Sequence, residues 1–503
     1  MSSRERSTET PGSSQRERRI GSSSGVEKLT SRAPFKAGVP DWLILSLLLF
    51  FVLLTFVGPV VRAFQTLEIN YNEGWNAYNA QAALHHNLYP YRYGWTTVNY
   101  PFLSFYLIGN LSRVFGDPVM IGRMLSLISL VVVCVCVAGI VKKLTGHWGA
   151  GVFAATLSLW MFIAMANGYV AMDDPQMMAQ ACILVAFFLY IRGPASNGLI
   201  LAVAFLLVLS GNIKHNLFAA PLAVFIDLLI QSRAKAARFA IFGIALLAAS
   251  IYINQWVGGP FFVAQMLTPR VYSISKMFYS TSIVFSLAVP LIIAAAWSIR
   301  HLRERKLRAV SLYFFVSLSL GIALYGGAGT VINMFFDCFL AMSIIMGVLL
   351  DFLWRSDHPL LRKGGPWRWA APLLLFQVPC TDIPPVHLHP LKAESREFKS
   401  EVSFLAAQPG PAICESLLRC YDAGKPYIYD PFNSTSLMRL GKLDGQLLVE
   451  KIARKEFGAI QTHHPVNEIS RPYTHFPDEV LDAIERYYKV AIQDSNCVIY
   501  VPR

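Results

Sequence analysis

Long apolar runs separated by short polar connections occupy most of the chain from residue 41 to residue 380. Each run is about 15 to 24 residues long, close to the roughly 20 residues that a helix needs to cross a bilayer. We therefore predict a polytopic α-helical membrane protein. The pattern predicts about eleven membrane-spanning helices, at 41–63, 118–141, 148–166, 175–192, 197–211, 215–231, 237–256, 281–299, 309–327, 331–354 and 368–382.

The composition of the chain agrees with this fold class. Hydrophobic residue types make up 54% of the 503 residues and charged types only 15%, whereas soluble proteins carry roughly 25% charged residues. A soluble enzyme, a coiled coil and a disordered protein are therefore excluded. An outer-membrane barrel is also excluded, because its strands alternate over about 10 residues instead of running apolar.

The basic residues cluster at the ends of the apolar runs, where they act as orientation signals. The net charge of +13 therefore does not indicate a nucleic-acid partner. Residues 1–40 are rich in Ser, Arg and Glu and lack the apolar segment of a signal peptide, so they are predicted to form a disordered cytoplasmic tail. Lys and Arg are concentrated in the connections that this orientation places inside. An odd number of spans then puts the C-terminus outside the plasma (inner) membrane.

Two predicted outer segments are too long to be simple turns. The first outer loop spans 64–117, within a transmembrane module at 41–382, and the second segment is the C-terminal region 383–503. The second segment contains strand-like stretches (PAIC, PYIYD, FGAIQT, NCVIYV) and helix-like stretches (KSEVSFLAA, GQLLVEKIARK, PDEVLDAIERYY). Strands alternating with helices predict a small extracytoplasmic α/β domain.

Three cysteines fall in this predicted domain: Cys414, Cys420 and Cys497. A Cys414–Cys420 disulfide is one option in a compartment that permits disulfides, but the odd number leaves the pairing open. No Cys and His spacing indicates a zinc site. No cofactor is implied by a motif, and a divalent cation is compatible with the outer acids although no ligand set is defined.

The first outer loop offers the leading candidate for acid–base chemistry. Glu73 follows the first span, and a carboxylate at the membrane boundary can act as a general base when it lies within hydrogen-bond reach of the proton. The alternative is a helix-start carboxylate stabilised by the helix dipole, since residues 73–83 have helical spacing. The loop is rich in Tyr, Trp and Asn, which suit sugar contacts or an interfacial belt. Asn72, His85 and Tyr100 are candidate substrate contacts.

A second pair of acids, Asp173 and Asp174, lies in a tight outer connection before Pro175. Asp followed by Pro is a common helix-start signal, so one carboxylate is accounted for as a cap. The other is free to bind a hydroxyl or a cation. Both are retained as catalytic candidates.

Basic residues are scarce on the predicted outer face, which makes Lys214 informative. It lies in the short hairpin GNIKHN, where the positive-inside tendency disfavours it. Binding of a phosphate explains it, because Lys binds phosphate as a point charge, and snorkelling to lipid headgroups is the alternative. Arg270, in a longer outer loop, is the second candidate for phosphate binding.

Asn333 and Asp337 are one helical turn apart at the outer end of the tenth predicted span. An ionisable residue inside a span is a functional-site hypothesis by default. The alternative is an interhelical hydrogen bond. Together with the loop residues, these groups converge on the outer face, as a reaction on a lipid-linked anionic substrate requires.

These residues resemble the GT-C class of integral-membrane glycosyltransferases, in particular the bacterial relatives of protein O-mannosyltransferases and of the aminoarabinose transferase acting on lipid A. The resemblance rests on YNEGWNAYNAQAALHHNLYPY with VNYPFLSFYLIG, MDDPQMMAQA, KHNLFAAPLAVFIDLL, GGAGTVINMFFDCFLAMSIIMG and the stretch from ICESLLRCYD to KEFGAI. It covers roughly residues 41–465.

The resemblance implies a polyprenyl-phosphate sugar donor, direct inverting transfer to a hydroxyl of a cell-envelope acceptor, and an acid in the first outer loop near the reaction centre. That role falls on Glu73, and donor phosphate binding falls on Lys214. The family often shows Asp-Glu where this chain has Asn72-Glu73. The base is therefore left open between Glu73 and one of Asp173 and Asp174.

Two other functions remain alternatives. A lipid-linked substrate transporter or flippase predicts charged residues near the middle of the membrane and symmetric halves, and the sequence shows no repeat. A ligase that transfers preassembled glycans needs the same donor chemistry and differs only in the size of the transferred group.

Overall fold

The structure is a computed structural model that describes residues 39–193, 196–356, 358–360, 366–379, 388–467, 475–494 and 496–503. Helices α1 to α9 are Val39–Ala63, Asn72–Leu84, Leu103–Phe115, Pro118–Thr145, Trp148–Met165, Gln176–Arg192, Asn197–Ile213, Ala219–Gln231 and Arg233–Gly258. Helices α10 to α16 are Phe262–Met266, Ile274–Tyr279, Thr281–Ser286, Ala288–His301, Arg305–Tyr325, Phe336–Trp354 and Pro366–Leu375. Single 3₁₀ turns at Asn167–Tyr169 and Ile332–Phe335 follow α5 and precede α15.

Six helical segments of the described chain are long and apolar enough to cross a membrane: Asp41–Ala63, Pro118–Thr145, Trp148–Met165, Arg233–Gly258, Arg305–Tyr325 and Ile332–Trp354. Only 17% of the most apolar window of α1 and 11% of that of α9 are buried, against 83% for α5 and for Ile332–Trp354. Because apolar side chains on α1 and α9 are exposed, these helices suit contact with lipid, whereas α5 and α15 form the centre of the bundle.

The predicted count of eleven spans is not confirmed, although each predicted span coincides with helical structure. Three predicted spans are the shorter helices α6, α7 and α8. The span predicted at 281–299 belongs to a helix pair, Ile274–Ser286 and Ala288–His301, that is bent by 86°. The span predicted at 368–382 overlaps the ten-residue α16, which has Pro372 inside it, and 380–382 lie outside the described residues. A ten-residue helix rises only about 15 Å, roughly half the hydrocarbon thickness.

The 64–117 loop is folded, as predicted. Its first helix is α2, and three alanines of α2, Ala77, Ala80 and Ala83, are fully buried. Helix α3 buries Phe105 and Ile108 but exposes apolar side chains near its end. An amphipathic helix of this kind suits a membrane–water interface.

The C-terminal part (residues 388–503) contains helices and a four-stranded sheet. Its elements are α17 Leu388–Ala407, β1 Ala412–Cys414, α18 Leu417–Asp422, α19 Pro431–Arg439, α20 Gln446–Ala453, β2 Ala459–Thr462, α21 Asp478–Tyr487, β3 Tyr488–Asp494 and β4 Cys497–Pro502. The strand order is β1-β2-β4-β3. β1 and β2 are parallel, and β4 is antiparallel to both of its neighbours. A disulfide joins Cys414 to Cys420.

One predicted strand in this part does not form, and one observed strand was not predicted, each for a physical reason. The PYIYD stretch forms no strand because it docks on the 64–117 loop, where the Asp430 amide donates to the Trp95 carbonyl at 2.7 Å. Strand β3 was missed because its residues, apart from Tyr488, are not buried and therefore form no buried apolar run.

The C-terminal part packs directly on the 64–117 loop. The Tyr78 hydroxyl donates to the Lys425 carbonyl at 2.8 Å, and the Trp75 indole donates to Asp430 at 3.1 Å. A Cβ atom at position 74 would collide with the backbone of Leu417 and Leu418, so this approach requires glycine. The loop and the C-terminal part therefore share one interface, and the candidate site lies at its edge.

Candidate active site

A pocket opens where the ends of membrane helices meet the 64–117 loop and the C-terminal part. Its empty volume is about 620 Å³, including the part open to solvent. We call it the junction pocket. Its lining comes from the loop (Tyr71, Asn72, Trp75, Asn99, Tyr100), the helical bundle (Tyr169, Arg270, Gly329, Asn333) and the C-terminal part (Glu415, Leu417, Asp430, Pro431, Phe432, Asn433, His475).

Asn72 and Glu73 are neighbours at the start of α2 but face different surroundings. Asn72 lines the junction pocket, whereas Glu73 is fully buried and does not line it. Successive residues of a helix are rotated by about 100°, which separates their side chains. The position that faces the pocket is therefore an amide, and an amide cannot accept a proton at neutral pH.

Glu73 is held by four hydrogen bonds. Its Oε1 accepts from Arg123 Nε at 2.8 Å and from the Asp173 amide at 3.1 Å. Its Oε2 accepts from Arg123 Nη2 at 2.7 Å and from the Ile69 amide at 2.8 Å. This bidentate pair fastens α2 to α4 and to the connection after α5. It satisfies the lone pairs that a general base would need.

Asp173 and Asp174 have different environments. Asp174 Oδ1 accepts from Lys214 Nζ at 2.9 Å and from the Gln176 amide at 2.7 Å, so it both caps α6 and pairs with the lysine. The Asp173 carboxylate is fully buried and has no hydrogen-bond partner among the described residues. Burial and the neighbouring Glu73 raise the pKa of Asp173 well above the usual value. The Asp173 carboxyl, next to Gly122 of α4, is therefore biased toward its protonated form.

Lys214 is also buried, with an exposed fraction of 1%. Its Nζ lies 4.9 Å from the centre of the Tyr100 ring in addition to its pairing with Asp174. Tyr100 lines the junction pocket, so the ammonium group lies behind the pocket wall and is not itself part of the lining. Glu73, Asp173, Asp174, Arg123 and Lys214 together form what we call the buried charge layer.

Arg270 is the basic side chain that lines the pocket directly among the described residues. It is exposed, and its Nη1 makes a single long hydrogen bond, 3.4 Å, to the Ala328 carbonyl. Its other N–H donors have no hydrogen-bond partner among the described residues. Burial, with the charges of Arg270 and Lys214, lowers the pKa of the nearby His215 to about 4, so His215 is neutral at pH 7.

The C-terminal part contributes a His–carboxylate pair to the pocket lining, and we call its share of the lining the C-terminal wall. His475 Nδ1 lies 3.0 Å from Glu415 Oε1, and Glu415 Oε2 accepts from the His463 amide at 2.8 Å. Burial alone would raise the pKa of Glu415, but the hydrogen bond from His475 and the charges of His463 and His475 hold that pKa below its usual value. The carboxylate therefore stays ionised beside the imidazole.

Asp430 lies in the same wall, and both its oxygens accept hydrogen bonds. Its Oδ1 accepts from the Asn433 amide at 2.9 Å, and its Oδ2 accepts from Asn433 Nδ2 at 2.7 Å and from the Trp75 indole. Asn433 Oδ1 in turn accepts from Asn99 Nδ2 at 3.0 Å. This network ties the loop to the start of α19 and holds the Asp430 carboxylate in place.

The structure brings only part of the predicted site together. Asn72, Tyr100, Arg270 and Asn333 line the junction pocket, and Asn333 Nδ2 donates to Gln176 Oε1 at 3.3 Å. Asp337 does not line it and instead accepts from the Tyr313 hydroxyl at 2.5 Å, which is the interhelical bond named as its alternative. His85 lies in a separate surface groove. It follows α2 by one residue, about 20 Å along the axis from Asn72.

Several pocket residues were not identified from the sequence. Tyr71, Trp75, Asn99 and Tyr169 belong to segments that were predicted to be outer, but no spacing distinguished them. Glu415 and His475 are separated by 60 positions. Their proximity depends on the sheet and on the docking of the C-terminal part, which no local pattern reveals.

No group of three or more His, Cys, Asp or Glu side chains that could hold a metal ion occurs in the described part of the chain. Within the buried charge layer, Glu73 is paired with Arg123 and Asp174 with Lys214.

No protein-family model and no curated protein sequence matches the chain. Its structure is similar to ArnT from Cupriavidus metallidurans, bound to undecaprenyl phosphate and in the apo state. The first has a TM-score of 0.57 and 12% identity over 92% of this chain and 98% of that one. The second has a TM-score of 0.58 and 12% identity over 90% and 97%.

A further similar structure is the Archaeoglobus fulgidus oligosaccharyltransferase tethered with an acceptor peptide. It has a TM-score of 0.51 and 12% identity over 92% of this chain and 74% of that one. At such identities the likeness concerns the fold alone. It confirms the resemblance predicted from the sequence: this chain has the GT-C fold of membrane glycosyltransferases.

Proposed function

We propose that this protein is a membrane glycosyltransferase. It moves a sugar from a polyprenyl-phosphate-linked donor to a hydroxyl group of a cell-envelope lipid, glycan or protein. The reaction takes place at the outer face of the plasma (inner) membrane, with the N-terminus cytoplasmic and the C-terminal part extracytoplasmic. Transfer is a direct displacement with inversion at the anomeric carbon.

The observation that carries the proposal is the position and lining of the junction pocket. Tyr169 follows α5, Asn333 precedes α15, and Arg270 lies in the connection between α10 and α11. The pocket therefore lies at the ends of membrane helices, where a substrate anchored by a lipid tail must present its headgroup. Its other wall is the C-terminal part, which leaves room for an acceptor from the aqueous side.

The pocket suits an anionic donor. Arg270 has unused N–H donors, and a guanidinium binds phosphate oxygens in a bidentate manner. Lys214 adds positive charge from behind Tyr100, although its ammonium is already paired with Asp174. We assign donor-phosphate contact to Arg270 and a supporting role to Lys214. That ArnT was solved bound to undecaprenyl phosphate in a similar fold supports a polyprenyl carrier.

Sugar binding is assigned to the aromatic and amide side chains of the loop. Tyr71, Asn72, Asn99 and Tyr100 present hydroxyl and amide groups, while Trp75 packs edge-on against Tyr100 at 5.2 Å and fixes its ring. Positioning of donor and acceptor, with stabilisation of the departing phosphate by Arg270, would supply most of the rate. Glu73 contributes by holding α2 in place.

The test is transfer itself. Proteoliposomes with purified wild-type protein or Arg270→Ala are incubated with radiolabelled undecaprenyl-phosphate monosaccharides and a membrane-envelope extract as acceptor. We expect wild type to move label off the carrier and Arg270→Ala to lose at least about tenfold in rate, in keeping with the loss of a charged hydrogen bond. Arg92→Ala is the matched control, because Arg92 is exposed and does not line the junction pocket.

Absence of transfer from every donor, by wild-type protein that is folded, would contradict the proposal. The similar archaeal oligosaccharyltransferase makes glycan ligation the second candidate, so undecaprenyl-linked oligosaccharides belong in the same panel. Movement of unmodified undecaprenyl-phosphate sugar between leaflets, without cleavage, would favour a flippase.

A further inference from the structure

The proposed transfer releases a proton that some group in the junction pocket must accept. As the acceptor oxygen bonds to the anomeric carbon, its hydroxyl proton needs a base within hydrogen-bond reach and with a free lone pair. This inference rests on the proposed function and concerns which side chain of this chain is that base.

The carboxylates predicted for the role do not meet the requirement. Glu73 is fully buried outside the pocket lining, and its oxygens accept from Arg123 and two backbone amides. Asp174 is paired with Lys214, and neither Asp173 nor Asp174 lines the junction pocket. Asn72, which does face the pocket, has no basic atom.

Within the C-terminal wall, Asp430 is excluded in the same way. Both its oxygens accept hydrogen bonds, from Asn433, Trp75 and the Tyr427 hydroxyl at 3.2 Å. The remaining titratable pair of the described lining is Glu415 with His475.

The geometry of this pair is that of an oriented imidazole. Glu415 Oε1 lies 3.0 Å from His475 Nδ1, so the ionised carboxylate accepts the Nδ1 proton and fixes the tautomer. His475 Nε2 then has a free lone pair and no hydrogen-bond partner among the described residues. The side chain of His475 is 25% exposed.

The imidazole is also held in place by its neighbours. Its ring centre lies 5.3 Å from that of Tyr71 and 5.9 Å from that of Phe432, and all three side chains line the pocket. The ring therefore stands between the loop and the start of α19 with one nitrogen bound and the other free.

We infer that His475 is the general base of the transfer and that Glu415 is its positioning residue. Nε2 takes the proton of the acceptor hydroxyl as the acceptor oxygen forms its bond to the anomeric carbon. The bond from that carbon to the phosphate oxygen breaks, and undecaprenyl phosphate departs with the electron pair. Glu415 stabilises the imidazolium, which returns its proton to water.

The experiment measures kcat, KM and the pH dependence of kcat with the labelled undecaprenyl-phosphate sugar that wild type uses. We expect His475→Gln to lower kcat by at least about 100-fold, the range of general-base catalysis, with KM for the donor little changed. The rise of kcat with pH that reports imidazole ionisation disappears in this variant. His464→Gln is the control, because His464 is exposed and lines no part of the pocket.

Glu415→Gln provides an independent test that does not depend on removing the histidine. The imidazolium loses its neighbouring negative charge, so the ionisation seen in kcat moves to lower pH. A merely structural role of Glu415 would lower activity without moving that ionisation. Binding of undecaprenyl phosphate is measured for each variant to establish that it is folded.

The inference is overturned if His475→Gln keeps the wild-type kcat, or is slower with the same ionisation, or if Glu415→Gln leaves the ionisation where it was. In these cases wild type transfers sugar and the proposed function stands. If folded wild type transfers no sugar from any donor, the proposed function fails, and the assignment of His475 fails with it.

Discussion

Two regions next to the junction pocket contain acidic residues, and they differ in which side-chain atoms remain without a hydrogen bond. The buried charge layer pairs Glu73 with Arg123 and Asp174 with Lys214, each within 3 Å and almost without exposure. In the C-terminal wall, Glu415 orients His475, and the imidazole keeps one nitrogen free. From the sequence, the acids were ranked by how close they lie to the predicted membrane boundary. Whether a side chain can accept a proton depends on which of its lone pairs carry no hydrogen bond.

The largest expected effect concerns the buried charge layer. Glu73→Gln leaves the Arg123 guanidinium without its counter-charge in a buried site, which should cost about 3–5 kcal/mol of unfolding free energy. The measurement is thermal and denaturant unfolding of the detergent-solubilised protein. Asn72→Ala is the matched control. Asn72 is next to Glu73 in the sequence, but its side chain faces the pocket, so this substitution should change the unfolding free energy by less than about 1 kcal/mol. Equal losses of unfolding free energy in Glu73→Gln and Asn72→Ala would contradict the difference between the buried charge layer and the pocket lining.

The next effect concerns the second pair of the layer. Lys214→Met leaves the Asp174 carboxylate buried without its cation, although the Gln176 amide still donates to it. We expect a loss of about 3 kcal/mol, near the lower end for a broken buried pair. The double variant Lys214→Met with Asp174→Asn should recover part of that loss in the same unfolding measurement. No recovery would indicate that Lys214 is not stabilised mainly by Asp174.

A smaller loss of unfolding free energy is expected from a change in the C-terminal part. Replacing Cys414 and Cys420 by Ser removes a disulfide that closes a loop of six-residue separation. Such a short loop constrains the unfolded chain weakly, so the expected loss is about 2 kcal/mol. The unfolding midpoint of the double variant should be insensitive to dithiothreitol, whereas that of wild type should fall. A loss as large as that of Glu73→Gln would contradict the ranking.

The smallest effect at neutral pH is expected for Asp173→Asn. Burial raises the pKa of Asp173, so the folded state holds its proton where the unfolded chain has released it. Stability from this group is therefore present below the ordinary aspartate pKa of about 3.9 and is lost as pH rises toward the folded pKa. Asn mimics the neutral acid, so the variant should be at least as stable as wild type at pH 7. Its melting temperature should also fall less between pH 4 and 7; a steeper fall would contradict the assignment.

The sequence predicted the elements better than it predicted their contacts. Apolar runs located the membrane helices, and the spacing after Glu73 located α2, because burial of one face imposes a period on the residues. The contact of Trp75 with Asp430 joins residues 355 positions apart, and no local pattern encodes it. The same holds for the His475 and Glu415 pair, which depends on how β1 and α21 are placed by the sheet.

The candidate site residues show the same difference between what a local pattern predicts and what packing decides. Asn72 and Tyr100 were identified in an outer loop rich in residue types that suit sugar contacts, Arg270 as one of few outer basic residues, and Asn333 as a polar residue at the end of a span. These four line the pocket. Glu73 was singled out as a carboxylate at the membrane boundary, yet it pairs with Arg123. Which side of a helix start points to the pocket is decided by packing against neighbouring helices, which the spacing alone does not give.

The central claim is that sugar transfer takes place at the junction pocket and not at the buried charge layer. The most direct measurement is the initial rate of label transfer from undecaprenyl-phosphate sugar per folded molecule, for wild type, Arg270→Ala and Glu73→Gln at a temperature where all three are folded. The account predicts that Arg270→Ala loses at least about tenfold and that Glu73→Gln stays within about tenfold of wild type. A folded Glu73→Gln protein without activity, beside an Arg270→Ala protein with wild-type activity, would contradict it.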